Sequence, residues 1–186
     1  MLALMHRIPV QPGDAVLVPG GTPHAIGQGI LLVEAQEPTD QSILLERVNT
    51  TASDDEIFLG LDRDVALSVV DAAALADVDE LTRHICADTA GLTPVLPDAA
   101  AEYFRMDVLT PGADVPAGFA VAVALFGAGT VRPSFGDPVA VRAGDTAVVP
   151  SASGEWHVDG ELRLLVCRPG ESWPPARTPN EPEGTP

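Results

Sequence analysis

The sequence contains no lysine, and its 10 basic residues are all arginine. Without lysine, the chain cannot form a Schiff base with a carbonyl substrate or use a lysine as general base. The 27 Asp and Glu residues outnumber the arginines, so the formal net charge of the 186 residues is −17 at pH 7. This negative charge argues against a partner held through nucleic-acid phosphates and suits a cytoplasmic protein.

Cysteine, aromatic residues and long apolar runs are also scarce. The two cysteines, Cys86 and Cys167, match no metal or redox spacing, and we expect both to be reduced thiols. No stretch approaches the roughly 18 apolar residues of a membrane span, and the first residues lack a basic leader, so we expect no membrane partner. With 4% aromatic residues, 17 Gly and 18 Pro, the composition favours short aliphatic strands over a helical bundle.

Apolar runs and turn residues divide the chain into four predicted regions. Residues 1–50 are predicted to form strands and tight turns, with apolar runs at 14–18, 30–34 and 42–46. Residues 51–100 are predicted to be a helical connector, with one helix starting near Asp64 and another opened by Asp77 or Asp79. We predict a second β domain at 101–169, with strands at 104–109, 119–126, 139–141, 146–149 and 162–167, and a disordered proline-rich tail at 170–186.

One short motif occurs twice. The run from Gly13 to Pro19, GDAVLVP, recurs from Gly144 to Pro150 as GDTAVVP. In each copy a Gly-Asp turn leads into a four-residue strand that ends at proline, and a histidine follows, His24 or His157. The recurrence predicts that the same supersecondary unit is used twice.

The first copy extends to a longer motif, PGDAVLVPGGTPHAIG, at residues 12–27. It resembles the second sequence motif of the cupin superfamily, with Gly13, Pro19, Gly21 and His24 at the family's spacing. The proline ends strand pairing, and Gly21 permits the backbone bend that turns His24 inward from the next strand. An imidazole at the mouth of a small β-barrel is well placed to bind a metal ion.

The resemblance reaches a particular family. The run PVQPGDAVLVPGGTPHAIGQGILLVEAQEPTDQSILLE is similar to the segment around the zinc-binding histidine of class I mannose-6-phosphate isomerases. The runs FLGLDRDVALSVVD and VRAGDTAVVPSASGEW resemble that family's connector and C-terminal cupin. The resemblance covers about residues 5 to 170. It implies an all-β protein with cupin (jelly-roll) barrels, one incomplete and one C-terminal, joined by a short helical connector.

The resemblance also implies an activity and a site. The family interconverts mannose 6-phosphate and fructose 6-phosphate through an enediol, assisted by one zinc ion. His24 matches the zinc-ligand histidine, while Glu34 and Asp40 match acidic positions on the following strand and become the candidate catalytic residues. Asp40 follows Pro-Thr, where an aspartate also serves as an ordinary turn residue.

Three features depart from the family's pattern. Zinc needs about four ligands, and the family takes the others, a Gln-x-His pair and a Glu, from strands that precede anything in this sequence; His6 does not match them. The family's active-site arginine position holds Leu44, with Arg47 three residues later. The sugar phosphate must also be held against the net charge of −17. We therefore expect this chain alone to bind zinc weakly and turn over little, with a homo-oligomer or an upstream polypeptide completing the site.

An alternative function stays open, a non-catalytic cupin module that binds a sugar or assembles with a partner. The second motif copy favours a structural role for its own lobe. Between Tyr103 and Gly154 there is no His, Glu, Gln or Cys, so the strands around His157 are not expected to form a metal site. An iron- or manganese-dependent cupin oxygenase would need two further histidines within reach of His24, and none has suitable spacing.

Overall fold

The computed structural model describes residues 5–36, 42–45, 48, 50–75 and 77–171. These residues are mostly β, with a seven-stranded antiparallel sheet and a separate two-stranded one. The longest helix described has five residues, and no described helix is long and apolar enough to span a membrane. The strands are β1 (Asp14–Val16), β2 (Thr82–His84), β3 (Leu92–Pro94), β4 (Phe104–Leu109), β5 (Asp114–Val115), β6 (Ala120–Pro133), β7 (Val139–Arg142), β8 (Thr146–Val149) and β9 (Trp156–Pro169); the helices are α1 (Asp54–Ile57) and α2 (Arg63–Leu67).

The large sheet is built around β6 and β9, which have 14 residues each. Their antiparallel register runs from Val121 opposite Cys167 to Pro133 opposite Trp156, with a bulge between Ala124 and Phe126. β4 pairs with the C-terminal half of β9, and β3 pairs with β4. β7 and β8 pair with β6, while β5 pairs with the start of β9. Six of the seven strands lie within residues 104–169, and β3 comes from the region predicted as the connector.

Both faces of this sheet carry apolar side chains, because successive residues of a strand point to opposite faces. On β9, Leu164 and Val166 belong to an inner cluster, while Leu165 and Cys167 belong to an outer one. The inner cluster contains most of the fully buried large side chains, including Trp156. The outer cluster is completed by side chains from earlier in the chain, namely Ala15, Leu17, Ala35, Leu81, Ile85, Val95, Leu96 and Ala100.

The predicted strands of the second β domain are largely confirmed. Those at 104–109, 139–141 and 146–149 correspond to β4, β7 and β8. Those at 119–126 and 162–167 are parts of the longer β6 and β9. Both cysteines are free thiols, and burial raises the pKa of Cys167 above its usual range. The predicted tail lies outside the described residues, apart from residues 170 and 171.

The N-terminal arm, residues 5–36, differs from the strand prediction. The predicted strand at 14–18 is shortened to β1, and the predicted strand at 30–34 is wrong, since these residues are described without strand pairing. The same holds for residues 42–45 of the predicted strand at 42–46. A strand needs a neighbour to accept its backbone hydrogen bonds, and within the described residues only β1 finds one. The described arm therefore shows no first barrel.

The connector also differs from its prediction. The helix expected near Asp64 is present as α2, where the Asp62 carboxylate accepts hydrogen bonds from the backbone N–H groups of Asp64 and Val65, but it ends at Leu67. The second predicted helix is wrong. Asp79–Leu81 is a single 3₁₀ turn that leads directly into β2. The spacing of Val78, Leu81 and Ile85 fits a helix, yet pairing of β2 with β1 determines the backbone here.

Candidate functional site

His24 lies in the N-terminal arm, eight residues beyond the end of β1. Gly21 makes the predicted bend with φ of 78°, and its carbonyl oxygen accepts a hydrogen bond of 2.8 Å from the Asp71 backbone. The His24 ring is nevertheless exposed, so the expectation that it turns inward is not met in the described structure. Its Nδ1 lies 3.0 Å from the carbonyl oxygen of Thr22. The imidazole is accessible, with a local backbone contact.

Glu34 is the second candidate on the same arm. Its side chain is exposed, and its Oε1 accepts a hydrogen bond of 2.7 Å from Nε2 of Gln36. The next residue, Ala35, packs against the outer cluster and so ties this part of the arm to the sheet. The hydrogen bonds described for His24 and Glu34 are local to each residue, and none of them joins the two.

The remaining predicted positions of the site are only partly described. Asp40 and Arg47 lie outside the described residues, so their assignments stay predictions. Leu44, at the family's arginine position, is 44% exposed, and its backbone N–H donates to the Ile57 carbonyl at 3.3 Å. Its aliphatic side chain cannot stabilise a developing oxyanion.

The described residues do not fit a zinc ion by themselves. Within the described ranges, no group of three or more His, Cys, Asp or Glu side chains is placed to hold a metal. His24 offers one imidazole, whereas zinc takes about four ligands. His84 and His157 lie elsewhere in the fold, on β2 and β9. No reaction step through zinc can be assigned to these residues alone.

His157, in the second motif copy, sits between two carboxylates. Its Nδ1 is 3.6 Å from Oδ1 of Asp114, and its Nε2 is 4.0 Å from Oδ1 of Asp159. The three residues line an open cavity of about 330 Å³ beside the turn that precedes β5. Because different ring nitrogens face the two carboxylates, one ion cannot bind the imidazole and both aspartates. The His157 side chain is 45% exposed.

A contact between Asp14 and His84 was missed by sequence reasoning. Asp14 Oδ1 lies 2.6 Å from Nδ1 of His84, and the two residues are paired in the β1–β2 register. The pKa of Asp14 is lowered, first by the hydrogen bond from the Gln11 backbone N–H and then by the hydrogen bond to His84. The two residues are too far apart in sequence for spacing to suggest the contact.

The fold is that of a mostly β protein built on an antiparallel sheet, and its structural neighbours include cupins. An RmlC-like cupin protein from Desulfovibrio desulfuricans is 17% identical, with a TM-score of 0.33, over 53% of this chain and 90% of that one.

Sequence relatives are more specific, although no family model matches the chain. It is 26% identical over 176 residues to the mannose-6-phosphate isomerase of Streptococcus mutans, covering 90% of this chain and 52% of the relative. A 42-residue stretch is 50% identical to mannose-6-phosphate isomerase ManA of Bacillus subtilis, covering 23% of this chain and 13% of ManA. The chain is a distant homologue of mannose-6-phosphate isomerases over most of its length. It spans about half the length of the Streptococcus relative.

Proposed function

We propose that this chain forms part of a mannose-6-phosphate isomerase, which interconverts mannose 6-phosphate and fructose 6-phosphate. The observation that carries the proposal is the alignment with the Streptococcus mutans enzyme over 90% of the chain. In this proposal His24 contributes one imidazole to a zinc site whose other ligands come from outside the described residues. Glu34, and Asp40 as the weaker candidate, supply carboxylates for proton transfer or substrate hydrogen bonding. We place the protein in the cytoplasm.

The proposed reaction moves one proton between C1 and C2 of the opened sugar through an enediol. A carboxylate can take this proton from one carbon and return it to the other. The Glu34 carboxylate is exposed to an incoming substrate, and the Gln36 amide holds one of its oxygens. These two features support Glu34 as the proton carrier.

Ligand-observed NMR of the purified chain with mannose 6-phosphate, in zinc-containing buffer, tests this proposal. We expect weak, saturable binding and little or no turnover in a coupled isomerase assay. Glu34→Gln and His24→Ala should each weaken binding by about tenfold, the scale of one lost charge-assisted contact. His6→Ala is the matched control, because His6 is an exposed histidine of the same arm that does not match the family's ligands.

Two outcomes would contradict parts of the proposal. Absence of mannose 6-phosphate binding by the folded chain at millimolar sugar would count against the isomerase assignment. Tight, near-stoichiometric zinc binding together with robust turnover would refute the proposal that the other zinc ligands come from outside the described residues. If His24→Ala leaves sugar binding intact, the second candidate function is favoured instead.

The second candidate is a non-catalytic module for sugar binding or assembly. It is supported by a run of four exposed apolar residues, Ile30–Val33, whose relative exposures are 42%, 98%, 44% and 36%. Uninterrupted apolar runs are typical of strands that are covered on both faces. We propose that an upstream polypeptide, corresponding to the other half of the relatives, covers this run; a second copy of the chain is the competing occupant.

Sedimentation velocity distinguishes these occupants. If the arm pairs with a second copy, the chain should dimerise, and Leu31→Glu should abolish the dimer. The matched control is Val148→Glu, since Val148 is 62% exposed on β8 of the large sheet. A monomer at all concentrations would exclude the second copy and leave the upstream polypeptide as occupant. A dimer insensitive to Leu31→Glu would place the association elsewhere.

A further inference from the structure

The N-terminal arm pairs with the rest of the described chain at one small β junction; further along, the Gly21 carbonyl accepts the Asp71 N–H and Ala35 packs on the outer cluster. β1 and β2 pair over three residues, and two flanking backbone hydrogen bonds extend the ladder. The Leu17 N–H donates to the Leu81 carbonyl at 2.8 Å, and the Ile85 N–H donates to the Gly13 carbonyl at 2.9 Å. Ala15, together with Leu17, packs into the outer cluster. Because few contacts hold this junction, it can open locally while the large sheet stays folded.

The Asp14–His84 pair lies within this junction. Among the described residues it is the one ion pair that links residues 5–36 to the rest of the chain. The Asp14 side chain is 19% exposed and that of His84 is 44% exposed. The same carboxylate accepts the Gln11 N–H at 2.8 Å, so it connects the turn that starts β1 to the neighbouring strand.

We propose that the Asp14–His84 pair is a charge-dependent latch, which holds the arm on the outer face of the sheet while the imidazole is protonated and loosens it when the imidazole is neutral. Histidine is suited to this role because its charge commonly changes between about pH 5 and 8. The ionised Asp14 carboxylate accepts a hydrogen bond in either state, and protonation of the imidazole adds the modest Coulomb attraction of a partly exposed ion pair. The arm carries His24 and Glu34, so the latch controls how these residues are presented. The latch itself needs no ligand and does not rest on the proposed isomerase function.

The other charges near the pair do not replace either partner. Arg83 is adjacent to His84 on β2 but points to the opposite face, where its guanidinium lies 3.4 Å from Asp98. On β1 the charged residue is Asp14 itself, and the turn before it contributes a backbone N–H rather than a charge. The lowered pKa of Asp14 keeps its carboxylate ionised at neutral pH.

Amide hydrogen exchange at Leu17 and Ile85 tests the latch, because both N–H groups cross the junction. Protection is corrected for intrinsic exchange and compared with Val95, whose N–H donates to Met106 in the sheet. In the wild-type chain we expect junction protection to fall about threefold from pH 5.5 to 8.5, the scale of one exposed ion pair, with no change at Val95.

Variants separate the latch from general loosening of the fold. His84→Gln keeps a hydrogen-bond donor without the charge, and it should give low junction protection that no longer depends on pH. Asp14→Asn should do the same, which provides a second variant if the first folds poorly. Arg83→Gln breaks a neighbouring ion pair and should keep the wild-type pH dependence. A pH-independent junction in the wild type, or a retained dependence in both His84→Gln and Asp14→Asn, would overturn the proposal.

Discussion

The two copies of the Gly-Asp motif form the same turn in two different surroundings. In the first copy, the Asp14 carboxylate accepts the Gln11 N–H at 2.8 Å; in the second, the Asp145 carboxylate accepts the Arg142 N–H at 3.0 Å. The glycines before the aspartates have φ values of 99° and 92°. After each strand, the residue three positions beyond the proline donates to the proline carbonyl, at 3.1 and 2.9 Å. The local sequence therefore determines the local turn wherever it occurs.

The segments that follow the two turns differ in strand pairing and burial. In the second copy the segment becomes β9, which pairs with β6 along most of its length and buries Leu162, Leu164 and Val166. In the first copy the equivalent segment contains Ile30–Val33, with all four side chains exposed and no strand assigned. The apolar run is present in both copies. What differs is the partner strand, because β6 and β4 flank β9 while no described strand flanks residues 30–33.

The largest expected effect comes from truncating equivalent leucines in the two copies. Leu162 is 3% exposed in the inner cluster, whereas its counterpart Leu31 is 98% exposed. Leu162→Ala should lower the free energy of unfolding by about 3 kcal/mol, since it removes buried methyl groups and leaves a cavity. Leu31→Ala should change it by less than about 0.5 kcal/mol. Urea unfolding followed by circular dichroism measures both; a comparable loss for Leu31→Ala would mean that the arm is buried in solution.

Whether a strand prediction was correct also depended on the presence of a partner strand. β4, β7 and β8 were predictable because their alternating apolar residues and flanking turns agree with their final pairing. The strand predicted at 30–34 was wrong because an apolar run cannot show whether a neighbouring strand exists. The helix opened by Asp77 or Asp79 was wrong because pairing with β1 outweighed a helical spacing of apolar residues.

Residue patterns predicted less of the candidate site than of the fold. His24 and Glu34 were identified from a family resemblance, and the structure supplies their exposure and local contacts rather than a formed site. The Asp14–His84 contact joins residues that are distant in sequence. Neither residue type nor spacing signals such a contact, because it depends on the β1–β2 register.

A smaller effect is expected from the glycines that begin the two turns. Gly144→Ala should cost about 1–2 kcal/mol in urea unfolding, because a side chain is strained at its positive φ although the space around it is open. At Gly13 a Cβ would also lie 2.6 Å from the Ile85 carbonyl oxygen, so Gly13→Ala should disrupt the β1–β2 junction as well. Hydrogen exchange at Leu17 should rise in Gly13→Ala and stay unchanged in Gly144→Ala. Equal exchange at Leu17 in the two variants would show that Gly13 matters no more to the β1–β2 junction than Gly144 does.

The smallest effect concerns the acid titration of the first turn. The Gln11 N–H, as the larger cause, and His84 both hold the Asp14 pKa below the ordinary value of 3.8. A carboxyl group with a lowered folded pKa stabilises the native state above its unfolded pKa, and this contribution is lost as the pH falls through the folded pKa. NMR titration of the Asp14 carboxyl carbon should therefore give a midpoint below 3.8. His84→Gln should raise that midpoint only part of the way, because the Gln11 hydrogen bond remains; a full return to 3.8 would show that the turn hydrogen bond shared by the two copies does not lower the pKa of Asp14.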